Sequence, residues 1–170
     1  MWFTMLILVF VFTIGMTIGG LLAAPRDTVR PIQVILFSLF FLFLCYMGMI
    51  TGMFITGWIG LRFIEIVLAI LTLLFIVACF SRFHPTLGFF HPEDKILFSM
   101  LAFLFFLMGV EWGLVEFRTF FTIAAAFLFT AALGLGLYVQ MQIRQAFWRH
   151  SNIAYAPLIW LLFVTVLKLL

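Results

Sequence analysis

Few side chains in this chain are able to do chemistry, and the first that stands out is Glu111. It closes the stretch ILFSMLAFLFFLMGVEWG, residues 96–113, which otherwise reads as a membrane helix. At 1.5 Å per residue, Glu111 lies roughly 24 Å along the helix from Lys95. A hydrocarbon core is about 30 Å thick, so the carboxylate falls a turn or more inside the membrane edge. Glu116 reaches the far interface by the same measure. The two acids are about 140° apart on a helix and do not share a face. Arg62 and Glu65, three apart at the start of another apolar run, do share one and are able to pair. With Arg118, Trp58 and Trp112 these residues gather at one end of the protein.

Two chemistries fit that gathering. One is an interfacial belt, with tryptophans at headgroup depth and charges reaching water. The other is a polar vestibule in which Glu65 and Glu111 hold a cation, a proton or a partner's basic residue. An Arg62–Glu111 pair across helices would instead make the cluster a structural clamp. The belt is the default expectation, and Glu111 is the residue that departs most from it.

Other chemistry is scarce. His84, His91 and His150 fall in connections, where they are badly placed for haem between helices. His84, His91 and Glu93 match no metal-ligand spacing, so neither a metal nor a cofactor is expected. Cys45 and Cys79 lie in apolar runs with no CxxC, as small hydrophobes do. Walker A, GxSxG and HExxH patterns are absent, and no convergent nucleophile and base appear, so the chain does not read as an enzyme.

Composition names the solvent. Of 170 residues 67% are hydrophobic and 9% charged, against roughly 25% charged in soluble domains. The surface must face lipid, which excludes a nucleic-acid-binding role. The nine Lys/Arg residues are scattered and carry topology information, not a basic patch. The segment QMQIRQAFWRHSN, with Arg144, Arg149 and His150 beside Phe147 and Trp148, has the profile of a helix end meeting headgroups. The first apolar segment lacks the positive start of a signal peptide and reads as a retained helix.

Spans of about 20 apolar residues are expected at 2–24, 32–56, 62–82, 95–116 and 119–142. A shorter run at 157–170 completes six if Lys168 snorkels to the interface. Pro31, Pro92 and Pro157 mark helix starts, and Glu93 and Asp94 suit a first helical turn. The connections holding Arg26, Arg30, Arg82, Lys95, Arg144 and Arg149 are expected in the cytoplasm. The other side carries only Arg62, Arg118 and Lys168, which places the N-terminus outside, in a bacterial cytoplasmic membrane.

Residues 31–52 laid over 92–113 match without a gap at the proline, at ILFS, at the MG pair and at the last glycine. This predicts an internal repeat of a two-helix unit. The fold class is then an all-α integral membrane protein of about six transmembrane helices, one domain over 1–170, in three helical hairpins: 1–61, 62–118 and 119–170. Inverted repeats are not visible by this comparison. Three glycine pairs four apart, Gly15/Gly19, Gly48/Gly52 and Gly109/Gly113, are expected to let helices approach closely. The functional expectation is a non-enzymatic accessory or assembly subunit of a larger membrane complex, in contact with lipid and with other subunits or copies of itself. The alternative is a small oligomeric transporter or channel using Glu111, Glu65 and Arg62.

Overall fold

The computed structural model describes residues 2–23, 31–58, 60–82, 95–117, 119–146 and 155–169. Expectations placed on Arg26, Arg30, His84, His91, Pro92, Glu93, Asp94, Arg118, the Arg144 side chain, Arg149 and His150 lie outside them. The described residues form six helices: α1 Trp2–Leu22, α2 Pro31–Ile55, α3 Leu61–Ser81, α4 Lys95–Leu114, α5 Thr119–Ala146 and α6 Ala156–Leu169. Five are long and apolar enough to cross a membrane, and α6 is a shorter apolar helix. The protein is therefore an all-helical, multi-pass, membrane-embedded chain. Its outward faces carry bare hydrophobic side chains such as Phe43, Phe54, Phe103, Phe120 and Phe127. Water would penalise that surface and lipid does not.

Hydroxyls inside such helices need a partner, because lipid offers none. Thr13, Thr17, Ser38, Thr72, Thr130 and Thr165 each donate to the carbonyl four residues back, at 2.7–2.8 Å.

Each helix has two principal neighbours, and the contacts close a ring in the order α2, α4, α3, α6, α1, α5 and back to α2. Among the described residues the ring encloses packed aromatic side chains. Phe41 stacks on Phe129 with centroids 4.0 Å apart, and Phe105 and Trp112 meet Phe41 edge-on. The three-hairpin grouping is not what the contacts follow, since α1 with α2 and α5 with α6 are not principal neighbours.

The closest approaches are α2 to α4 and α1 to α5, both made by glycine. A Cβ on Gly48 would run into the Phe106 carbonyl, and one on Gly109 into that of Cys45. Gly52 abuts Val110, and Gly113 abuts Met49 and Met53. The two glycine pairs thus pack against each other with the helices parallel. On the other side Gly15 meets Phe129 and Ala132, Gly19 meets Leu133 and Leu137, and Gly136 meets Met16. The Ala132/Gly136 pair on α5 had no counterpart in the sequence reading.

These neighbours reveal a second internal symmetry. Place Gly15 and Gly19 on Gly109 and Gly113, and Ala132 and Gly136 on Gly48 and Gly52. Four contacts then map onto contacts: Gly15–Phe129 onto Gly109–Cys45, Gly19–Leu133 onto Gly113–Met49, Gly19–Leu137 onto Gly113–Met53, and Gly136–Met16 onto Gly52–Val110. Exchanging α1–α3 with α4–α6 also leaves the ring of neighbours unchanged. The buried, half-buried and exposed positions from 4 to 19 recur from 98 to 113 everywhere except Met16 and Val110. Phe41–Phe129 and Thr122–Met49 contacts make α2 and α5 antiparallel, so α1 and α4 run in opposite directions. The glycine-packed pairs α1–α5 and α4–α2 are thus related in an inverted arrangement, with its axis near the Phe41–Phe129 stack.

Candidate functional site

The inverted frame has two ends that should resemble each other and do not. At one end α4 delivers Glu111, α3 delivers Glu65 and α6 delivers Lys168. The Lys168 ammonium donates to Glu111 Oε2 at 2.6 Å, with the two side chains 7% and 1% exposed. The same ammonium lies 4.5 Å from the centre of the Phe10 ring, a cation–π contact that closes its other side. Glu65 is 9% exposed and shares a crevice with Phe10, Ala69, Thr165 and Lys168. Arg62 stands 3.7 Å from Glu65 but is itself 83% exposed.

Burying such a pair costs several kcal/mol per ion, recovered only by close geometry and further hydrogen bonds. Here the recovery is incomplete. Glu111 Oε1 is buried without a hydrogen-bond partner, and so is Trp112 Nε1. Two carboxylates are buried against one ammonium.

Several expectations are corrected by this geometry. Glu111 and Trp112 are not an interfacial belt: Trp112 is fully buried, edge-on to Phe41 and to Phe121, while Trp58 is 90% exposed as a belt residue should be. Lys168 does not snorkel outward; its stem turns into the bundle because Glu111 waits there. Arg62 pairs with Glu65 on its own helix, as the spacing implied, and not with Glu111. Glu116 is exposed and holds a left-handed backbone, φ 61°, where α4 ends. The N–H groups of Glu116 and Phe117 close onto the carbonyls of Gly113 and Trp112, a Schellman arrangement. The residue that reading missed was Lys168 as partner. Its signal was the only lysine in an apolar run that lacked an acid of its own.

The other end carries neutral groups in the equivalent places. Glu111 falls on Thr17 and Trp112 on Ile18, within FTIGMTIG at 12–19 and FLMGVEWG at 106–113. Setting Thr72 on Thr165 lays Leu158, Leu161 and Thr165 on the buried Glu65, Leu68 and Thr72 and puts Lys168 on Phe75, while buried Ala69 and Ile76 fall on exposed Leu162 and Leu169. Thr17 Oγ1 donates to Thr13 O at 2.8 Å and to Pro157 O at 3.2 Å. Beside it a cavity of about 220 Å³ opens between α1, α5 and α6, with Gln140 buried in its wall. Among the described residues no cluster of His, Cys, Asp or Glu has the makings of a metal site. Cys45, fully buried, donates to Phe105 O at 3.2 Å across the glycine contact.

No known protein family, no curated protein and no solved structure matches this chain. The site's own geometry is what a functional reading has to stand on.

Proposed function

We propose that this protein is a small membrane transporter that carries a proton or a small monovalent cation past Glu111, with Lys168 as the resident counter-ion the solute displaces. The observation that carries this reading is the charge imbalance of the buried cluster: Glu65 and Glu111 against Lys168 alone. Arg62 reaches Glu65 alone, from solvent, and Glu111 Oε1 is left buried without a donor; one further cation or proton at that oxygen would satisfy it. Ionisable groups inside a membrane are expensive and mark ion or proton routes. Inverted repeats, with a site at the interface of the two units, are a common transporter architecture. In the proposed topology all six helices span a bacterial cytoplasmic membrane, the Lys/Arg-rich connections face the cytoplasm, and the Glu111 end faces out. Chemistry at this site is exchange of charge, not bond breaking.

A second reading has its own observation. The 2.6 Å Glu111–Lys168 contact and the aromatic filling of the ring suit a permanent clamp in an accessory or assembly subunit. Such a subunit would bind other membrane chains through its exposed apolar faces. Reconstitution separates the two. Purified protein in liposomes holding a pH-sensitive dye should exchange protons when a Na⁺ or K⁺ gradient is imposed. Glu111→Gln, with unchanged helical content, should abolish that exchange. Absence of flux of all three ions, or flux indifferent to Glu111→Gln, removes the transporter reading. Copurification of a stoichiometric membrane partner would then favour the subunit.

A further inference from the structure

The cavity of about 220 Å³ lies against α1, between the end of α5 and the beginning of α6. It follows from how those two helices dock. α5 is drawn onto α1 by Gly15, Gly19 and Gly136, and α6 by Gly20, whose missing side chain leaves room for Pro157. α5 and α6 are not principal neighbours of each other. The groove left between them is floored by Met16 and Thr17 and walled by Val139 and Trp160. Its few polar groups are already engaged: Thr17 Oγ1 is bonded to the Thr13 and Pro157 carbonyls, and the buried Gln140 has a partner of its own. Water gains nothing there. A dry apolar cavity of about 150 Å³ is enough to take up benzene, so this one has room for a longer piece of hydrocarbon. It is reached from the lipid side, where Val139, Ala156 and Trp160 are exposed along its edges.

We infer that this groove holds one acyl chain of an anionic phospholipid, with the headgroup at the arginine-rich end of α5; the inference is independent of the transporter reading. Acyl chains are the hydrocarbon that a lipid-facing groove meets, and depth and charge select the kind of lipid. Trp160, in the second turn of α6, is exposed at the depth where tryptophans meet headgroups. The groove therefore opens just beneath them. Gly136 and Gln140 line it one turn apart on α5, and the next position of that stripe is Arg144. At 1.5 Å per residue Arg144 stands about 12 Å along the helix from Gly136, toward the headgroups. A chain running inward from that level follows the length of the groove. The connections that leave these helix ends add Arg26, Arg30 and Arg149 against a single acid, Asp27. A surplus of arginine at headgroup depth favours a negatively charged lipid over a zwitterionic one.

Native mass spectrometry of the full chain in mild detergent tests this. Offered equimolar phosphatidylglycerol and phosphatidylcholine, the protein should retain one phospholipid per chain. Phosphatidylglycerol should be in about fivefold excess, the scale of preference that one arginine near the headgroups confers. Val139→Trp and Ala156→Trp, made separately at the two exposed edges, each lay an indole across the groove and should lose the retained lipid with helical content unchanged. Leu39→Trp, on the exposed face of α2, should keep it. Arg144→Gln/Arg149→Gln should keep a lipid but bring the two headgroups to parity. Absence of any retained phospholipid overturns the inference, and so does retention in Val139→Trp and Ala156→Trp equal to that of the wild type, which would place the lipid elsewhere. A lipid held by the wild type without headgroup preference, or a preference that survives Arg144→Gln/Arg149→Gln, overturns it equally.

Discussion

Thr17 and Glu111 hold the same place in the two halves of this molecule, yet one is a hydroxyl satisfied by its own helix and the other a carboxylate held by a lysine from a third helix. The surrounding packing is shared: the same glycines, the same carbonyls, the same order of buried and exposed positions. At the Thr17 end the same glycine-packed frame carries Thr17, Leu158 and Phe75, all buried, where the other end has Glu111, Glu65 and Lys168. Helix packing therefore does not account for the charges. They have been placed in a frame that stands without them, and that is the strongest reason to look for function at the Glu111 end.

Breaking the comparison at its sharpest point has the largest effect. Lys168→Met alone leaves Glu111 buried beside an apolar side chain, and should lower unfolding stability by about 3–5 kcal/mol. The double change Glu111→Thr/Lys168→Phe imports the residues of the opposite end. It should recover stability to within about 1.5 kcal/mol of the wild type, as volume-tolerant apolar exchanges do. Denaturation in mild detergent, followed by circular dichroism, checks both; a double variant as weak as the single one would mean the pair is required by the frame.

The glycine contacts should respond alike at the two ends. Gly19→Ala and Gly113→Ala each force a methyl group into a backbone carbonyl of the neighbouring helix. Each should cost about 1–3 kcal/mol in the same assay, and a difference larger than that range would count against the repeat. Gly134→Ala is the internal control: nothing lies within 4 Å of its added Cβ, so it should be neutral or stabilising by about 0.5–1 kcal/mol. The smallest effect is expected at Glu116, whose backbone sits at φ 61°. Glu116→Gly should raise stability by about 1 kcal/mol, because glycine carries no Cβ strain there.

Composition alone was enough to identify lipid as the solvent, and hydropathy located the helices to within a few residues, because a span must be long and apolar whatever it packs against. The glycine pairs were legible for the same reason: few residues other than glycine suit a four-residue spacing at a close crossing. The match of 31–52 with 92–113 drew attention to α2 and α4, which pack side by side. It concealed the inverted relation, although FxxGxxxG at 12–19 and at 106–113 was in view. That relation pairs Gly48 with Ala132 and Thr17 with Glu111, and such pairs score as differences until the neighbours are known. Lys168 was read from its position near a helix end, where lysines ordinarily reach water. What redirects it is Glu111, 57 residues away in sequence; no local pattern encodes such a pairing.

The most direct measurement of the central claim is ion-driven proton exchange in liposomes by the wild type and by Glu111→Thr/Lys168→Phe. If the charges are an addition to the frame that serves transport, the double variant keeps its helical content and thermal midpoint but loses the flux. A double variant that keeps the flux would contradict the account, since the Glu111 end would then work with no charge in it.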